Sequence, residues 1–117
     1  MAKFMLLLTH APDRYSSLSK DEYMSIVKDY FAWVEKMREA GRYQGGDKLA
    51  EGPGRVVSLR DGKLETHEGP YAEVREVLGG FMVIEAEDYD EACRLAADHP
   101  HLRHNGPIEI RQVDSHE

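Results

Sequence analysis

Phe4-Met5-Leu6-Leu7-Leu8-Thr9 and Phe81-Met82-Val83-Ile84 are the two stretches on which the fold turns. Each is too short for a core helix, and each, Thr9 aside, is apolar at successive positions rather than at alternate ones. Successive strand side chains point to opposite faces, so a strand apolar throughout must be covered on both sides. A helix layer can cover one face of such a sheet. The other would be an apolar patch larger than a soluble monomer tolerates. A second copy laying its own sheet against the first resolves this, twofold dimers being the commonest closed assembly. The other solution is that loop 43–54 folds over the open face.

Working outward, Pro12 and Tyr15-Ser16-Ser17 end the first strand. Ser19 with Glu22 three residues on forms a capping box. Ile26, Tyr30, Trp33, Val34 and Met37 then recur at helical spacing, and Gly41 closes the helix. The glycine-rich run 44–54 reads as a connection, with a short extended piece at Lys48-Leu49-Ala50. Arg55–Arg60 and Lys63–His67 flank Asp61-Gly62, the dipeptide suited to a type I′ hairpin turn. Ala72–Leu78 reads as a turn or two of helix. Asp88 caps a second helix bearing Ala92, Leu95 and Ala96, and Ile108–Val113 alternates as a last strand. The order is strand, long helix, hairpin, strand, helix, strand. That is an α+β domain, 1–117, with a ferredoxin-like antiparallel sheet and two helices on one face.

Composition narrows the function class. An apolar fraction of 41% is too high for a disordered chain. A net charge of −7, with its basic residues scattered among acids, opposes nucleic-acid binding. The amino-terminal apolar run is about five residues, shorter than a signal-peptide core, and His10, Asp13 and Arg14 follow it. No segment is long enough to span a membrane. Cys93 stands alone in a helix, where a free cysteine acts as a small apolar residue, and a reducing cytoplasm fits it. No P-loop, nucleophile elbow or Cys–His signature is present, and no cofactor is implied.

Several residues carry possible chemistry. Tyr30 reads as a core tyrosine or as a phenol facing the cleft between helix and sheet. His99 would then supply a base within about 3 Å of it. His10 ends the first strand at the cleft mouth, as a ligand contact or a plain strand end. Asp98, His99, His101 and His104 are chemically suitable metal ligands, but they fall in a helix-to-strand loop without the one-face spacing of zinc helices, and a solvated loop is the better reading. Glu68, Glu73 and Glu76 offer either paired carboxylates or loop-ordering contacts. Gly79-Gly80 allows a kink or a close backbone approach.

The run Glu68-Gly69-Pro70-Tyr71-Ala72-Glu73-Val74-Arg75-Glu76-Val77-Leu78-Gly79-Gly80-Phe81 resembles the D-G-P-F-A-E-T-K-E-x-L-G-G-F signature of YCII-related proteins, in the branch called the DGPF domain. Met5-Leu6-Leu7, Ala40-Gly41, Arg60-Asp61-Gly62-Lys63 and Asp90-Glu91-Ala92 match the same layout. The resemblance implies a homodimeric α+β barrel of ferredoxin-like subunits. It also implies that Tyr30 and His99 occupy the places of a His–Asp pair for which enzymatic roles have been proposed, though neither residue type is kept. Glu68 and Tyr71 likewise replace Asp and Phe. Two functions are compatible with all of this. One is a cofactor-independent lyase or isomerase moving a proton with Tyr30 and His99 as catalytic groups and His10, Glu68, Tyr71 and Glu73 as ligand contacts. The other is a non-catalytic small-molecule-binding or regulatory homodimer.

Overall fold

The computed structural model describes residues 1–69 and 75–115. Strand β1 spans Ala2–His10, and Phe4, Leu6, Leu8 and His10 are buried on one face. Helix α1 covers that face over Lys20–Glu39. Its first turn is held by the reciprocal Ser19–Glu22 capping box, a device worth about 1 kcal/mol. Ile26, Trp33, Val34 and Met37 form its buried stripe. At the far end Gly41, at φ 71°, and Arg42 return their amides to the Arg38 and Met37 carbonyls, so the helix stops where the glycine permits a left-handed residue.

Strand β2, Tyr43–Lys48, corrects the reading of this glycine-rich segment as a connecting loop. It is an edge strand, and the glycines are what let it pair. A Cβ on Gly46 would run into the Phe81 carbonyl oxygen, while Gly45, at φ 130°, sits where the register shifts. Residues 43–48 therefore extend the sheet rather than fold over its open face. The hairpin follows as β3, Arg55–Arg60, and β4, Lys63–Glu68, with Asp61 and Gly62 at φ 52° and 77° as the turn requires. It forms a two-stranded sheet of its own.

Strand β5, Val77–Ala86, starts earlier than the apolar run suggested. Val77 and Leu78 pair with His10 and Thr9 instead of entering a helix, and residues 72–74 of that expected helix lie outside the described residues. Helix α2, Tyr89–Ala96, is capped by Asp88 and buries Ala92 and Ala96; Cys93 on its other side is exposed, so it is not a packing residue. The expected loop at 99–104 is instead a short helix, α3, Pro100–His104, with His99 as its N-cap. Strand β6, Ile108–Gln112, closes the sheet.

The four strands run β2-β5-β1-β6, every neighbour antiparallel, consistent with a ferredoxin-like α+β fold. Phe4, Leu6, Ile84, Trp33, Met37 and Ala92 meet in the core between sheet and helices. On the reverse face Met5, Leu7, Phe81 and Val83 are only half-buried. Among the described residues, no helix is long and apolar enough to cross a membrane.

Candidate functional site

The carboxyl end of β1 meets α1, α3 and β5 around a cavity of about 400 Å³. Its floor is apolar, with Leu8, Val34 and Met82, and tyrosines dominate the rest of the wall. That is the size and character of a small-molecule pocket. A wider hollow of about 740 Å³ adjoins it toward Glu51 and Glu76, and His10, Tyr15, Lys48 and Gly79 border both.

His10 is placed there by strand alternation and is 8% exposed. Its Nδ1 lies 2.6 Å from the Ala11 carbonyl oxygen. A carbonyl oxygen only accepts, so Nδ1 carries the proton and Nε2 of the neutral ring carries a lone pair. Gly79 makes room for that edge of the ring: a Cβ at 79 would stand 2.7 Å from Nε2 and 2.5 Å from Cδ2. This is the close approach expected of Gly79-Gly80.

The same donor logic orders a chain of groups behind the tyrosines. His101 Nε2 is 2.7 Å from the Thr9 carbonyl oxygen and must donate to it. Its Nδ1 then accepts, and Tyr30, 2.5 Å away, donates its phenolic proton there. The Tyr30 oxygen, having given its proton away, accepts from Asn105 Nδ2 at 2.8 Å. That requirement fixes the amide orientation, and the same nitrogen donates to the Tyr15 hydroxyl at 3.1 Å. Asn105 Oδ1 is left buried and without a hydrogen-bond partner among the described residues.

Burial holds these groups neutral. It pushes the Tyr30 phenol well up, against the opposing Asn105 hydrogen bond, and raises Tyr15 as well. It lowers His101, against the Thr9 hydrogen bond, and takes His99 down to about 4, with His101 adding to the effect.

His99 is fully buried and does not reach the Tyr30 hydroxyl. Its Nδ1 accepts the His101 amide at 3.0 Å, capping α3, and its Nε2 faces Met82 Sδ at 3.4 Å. Its ring meets the edge of Tyr30, centroids 5.2 Å apart, and packs on Trp33 at 4.5 Å. The phenol partner is therefore His101, two residues on. His104 is bound to Asp29 at 2.9 Å, so the three imidazoles turn to three different partners. Among the described residues, no group of three or more His, Cys, Asp or Glu is placed to hold a metal ion. Asp98 engages Lys36 and, at 3.0 Å, Trp33 Nε1; the Lys36 hydrogen bond holds its carboxyl below the usual range.

Glu68 is exposed at the end of β4, opposite Arg55 on the hairpin, and lines neither hollow. Glu76 accepts from Thr9 Oγ1 at 3.3 Å. Tyr71 and Glu73 lie outside the described residues. The groups that sequence reasoning passed over are Tyr15, Asn105 and Lys48, whose ammonium lies 5.3 Å and 5.6 Å from the ring centres of Tyr15 and Tyr23. They sit in a loop, after a three-histidine run and on an edge strand, and no local pattern marks them.

A family model described as the YCII-related domain matches residues 2–115. An uncharacterized protein of Rhizobium meliloti (strain 1021) is 34% identical over 85 residues, which are 71% of this chain and 68% of that one. Among solved structures, 5-chloro-2-hydroxyhydroquinone dehydrochlorinase (TftG) from Burkholderia phenoliruptrix AC1100, in complex with 2,5-dihydroxybenzoquinone, superposes with a TM-score of 0.56. The superposition covers 96% of this chain and 93% of that one at 13% identity, and such a likeness is one of fold. With the family match running from the first residue of β1 past the end of β6, this chain belongs to the YCII-related domain family.

Proposed function

We propose that the chain is a cofactor-independent lyase or isomerase that moves a proton on a small molecule held between α1 and the sheet. The observation that carries this is the His10 lone pair, fixed by the Nδ1–Ala11 hydrogen bond at the wall of a cavity that Leu8, Val34 and Met82 also line. A base needs an available lone pair, and the imidazole supplies one. His10 Nε2 takes a proton from an acidic C–H, and the electron pair moves toward a neighbouring carbonyl. Reprotonation at another carbon completes an isomerisation; departure of a leaving group with its electrons completes an elimination. Tyr30 fronts the cavity as the substrate-facing phenol, backed by His101, and His99 acts as a positioning residue that starts α3 where His101 can reach it. The dehydrochlorinase of the same fold, solved with a hydroxylated quinone, favours a lyase with a ring-sized substrate. The motif at Glu68–Phe81 favours the DGPF branch of the family.

The test is deuterium exchange. Hydroxylated quinones and cyclic 1,3-diketones are incubated in D2O with the protein and with His10→Gln, and carbon-bound deuterium is read by NMR. The native chain accelerates exchange on at least one compound, and His10→Gln loses about 10²–10⁴-fold of that acceleration, the usual worth of a positioned base. Equal rates for the two proteins would sink the proposal.

A second reading is a non-catalytic binding or regulatory module. It is favoured by Tyr30, whose proton and acceptor position are both committed to His101 and Asn105, a rigid wall more than a reactive one. Saturable binding without exchange would select it.

The working form we propose is a twofold homodimer in a reducing cytoplasm. The chain exposes 8191 Å², where a monomer of 13.3 kDa exposes about 6,400 Å². Its radius of gyration is 16.3 Å against about 13 Å for a compact domain of this length. The half-buried Met5, Leu7, Phe81 and Val83, together with exposed Val57, Leu59 and Leu64 on the hairpin, are apolar surface that a second copy would cover.

A further inference from the structure

We propose that Tyr15 is the hydrogen-bond donor to the oxygen of a bound enolate or phenolate, and that Asn105 is the residue that aims it. The inference rests on the cavity being the ligand site and deepens that reading by naming the ligand class, a planar ring oxyanion.

Thr9 fixes the His101 tautomer, His101 accepts the Tyr30 hydrogen bond, and the Tyr30 oxygen in turn accepts an N–H from Asn105. The second proton of that amide nitrogen goes to the Tyr15 oxygen at 3.1 Å. Tyr15 therefore has its acceptor position filled, and its own proton has no acceptor among the described residues. Its ring stands edge-on to His10, centroids 4.9 Å apart, and to Tyr23 at 5.7 Å, so the phenol can swing little. A donor with a filled acceptor side, held half-buried on a cavity wall, is suited to a ligand oxygen and poorly suited to a ligand N–H.

Two features favour a charged oxygen there, against the carboxylates of Asp47 on the same wall and of Glu51, whose field also reaches Tyr15. The Lys48 ammonium is 5.3 Å from the centre of the Tyr15 ring, a cation at the same end of the cavity. His10 lines the same cavity. When His10 removes a proton from carbon, the C–H pair becomes the new C=C bond and the carbonyl π pair moves onto oxygen. The atom that gains negative charge then meets the unspent Tyr15 proton. Burial keeps that phenol protonated, since it raises its ionisation above the ordinary range.

Binding of 4-nitrophenol above its own ionisation reads the proposal directly, because its visible band distinguishes phenolate from phenol. Nitrobenzene serves as a neutral ligand of similar shape. The native chain binds the probe as phenolate. Tyr15→Phe weakens phenolate binding about tenfold or more, the worth of one hydrogen bond to a charged group, and leaves nitrobenzene within about twofold. Asn105→Asp produces the same selective loss, because a carboxylate there captures the Tyr15 proton. Thermal melts identify any variant that fails to fold, and Tyr15→Phe, which keeps the ring contacts, then decides. The inference is overturned if the native chain binds no phenolate, or if Tyr15→Phe weakens both probes equally or neither. Deuterium exchange separates the two readings: selective loss in Tyr15→Phe without any exchange by the native chain retains the oxyanion site and removes the enzyme.

Discussion

Acidification should destabilise this protein through His99 before any carboxylate is involved. The imidazole is fully buried beside Trp33, Tyr30 and Met82, and its pKa drops from 6.5 to about 4. As pH falls between those values the unfolded chain takes up a proton that the native state refuses. The stability is therefore complete above pH 6.5 and lost as pH descends toward 4. The loss is about 3 kcal/mol at completion, and about 2 kcal/mol of it has gone by pH 5. His101, lowered by burial, adds in the same direction. Glu22, Glu91 and Asp98 have lowered values too, but as acids they contribute stability that persists until the pH falls below their unfolded values of 4.5, 4.5 and 3.8. The window from pH 7 to 5 thus isolates the histidines. Urea unfolding at fixed protein concentration, read by the fluorescence of Trp33, the single tryptophan, measures it. His99→Asn keeps an N-cap acceptor for α3 and removes the titration. It starts less stable by about 2–4 kcal/mol through the cavity it leaves. Its stability then changes about 2 kcal/mol less than the native chain's across the window. Parallel curves for the two proteins would refute the reasoning.

Two further outcomes follow from packing. Gly79→Ala should displace the His10 ring, because its Cβ would stand 2.5 Å from Cδ2; urea melts should show a loss of about 1–3 kcal/mol, and deuterium exchange should drop as it does in His10→Gln. Exchange at the native rate would mean that the ring position is immaterial. Phe81→Glu places a charge on the helix-free sheet face while Phe4, Leu6 and Ile84 keep the core intact. Sedimentation at micromolar concentration should show a dimer for the native chain and a monomer for the variant, and a native monomer would remove the homodimer.

The elements that sequence made legible are those fixed by contacts within a few residues. The Ser19–Glu22 box, the Gly41 stop, the Asp88 cap and the Asp61-Gly62 turn are each local hydrogen-bond or dihedral problems with one good solution. Strand β2 was not legible because Gln44-Gly45-Gly46-Asp47 has little strand propensity of its own. It is a strand because β5 offers a ladder and because glycine lets the two backbones close up. Val77 and Leu78 are settled the same way, by pairing with His10 and Thr9 across 66 or more residues of intervening chain. Pairing of that range leaves no periodicity to read.

That His101 and not His99 meets the Tyr30 hydroxyl is decided by where the short helix starts. In a helix each step along the chain turns a side chain by about 100°, so direction depends on where the helix begins. The sequence does mark that point: Pro100 suits the first helical position, which makes His99 the N-cap and His101 the second residue of the turn. An N-cap side chain folds back on its own helix, and Nδ1 of His99 does so at the His101 amide. His101, two positions further, is then free to span from Thr9 on β1 to Tyr30 on α1. Once that imidazole joins sheet to helix, every later donor in the chain through Asn105 to Tyr15 has its direction set. The hydrogen-bond directions along the cavity wall therefore depend on the helix start at Pro100 as much as on the residues that line it.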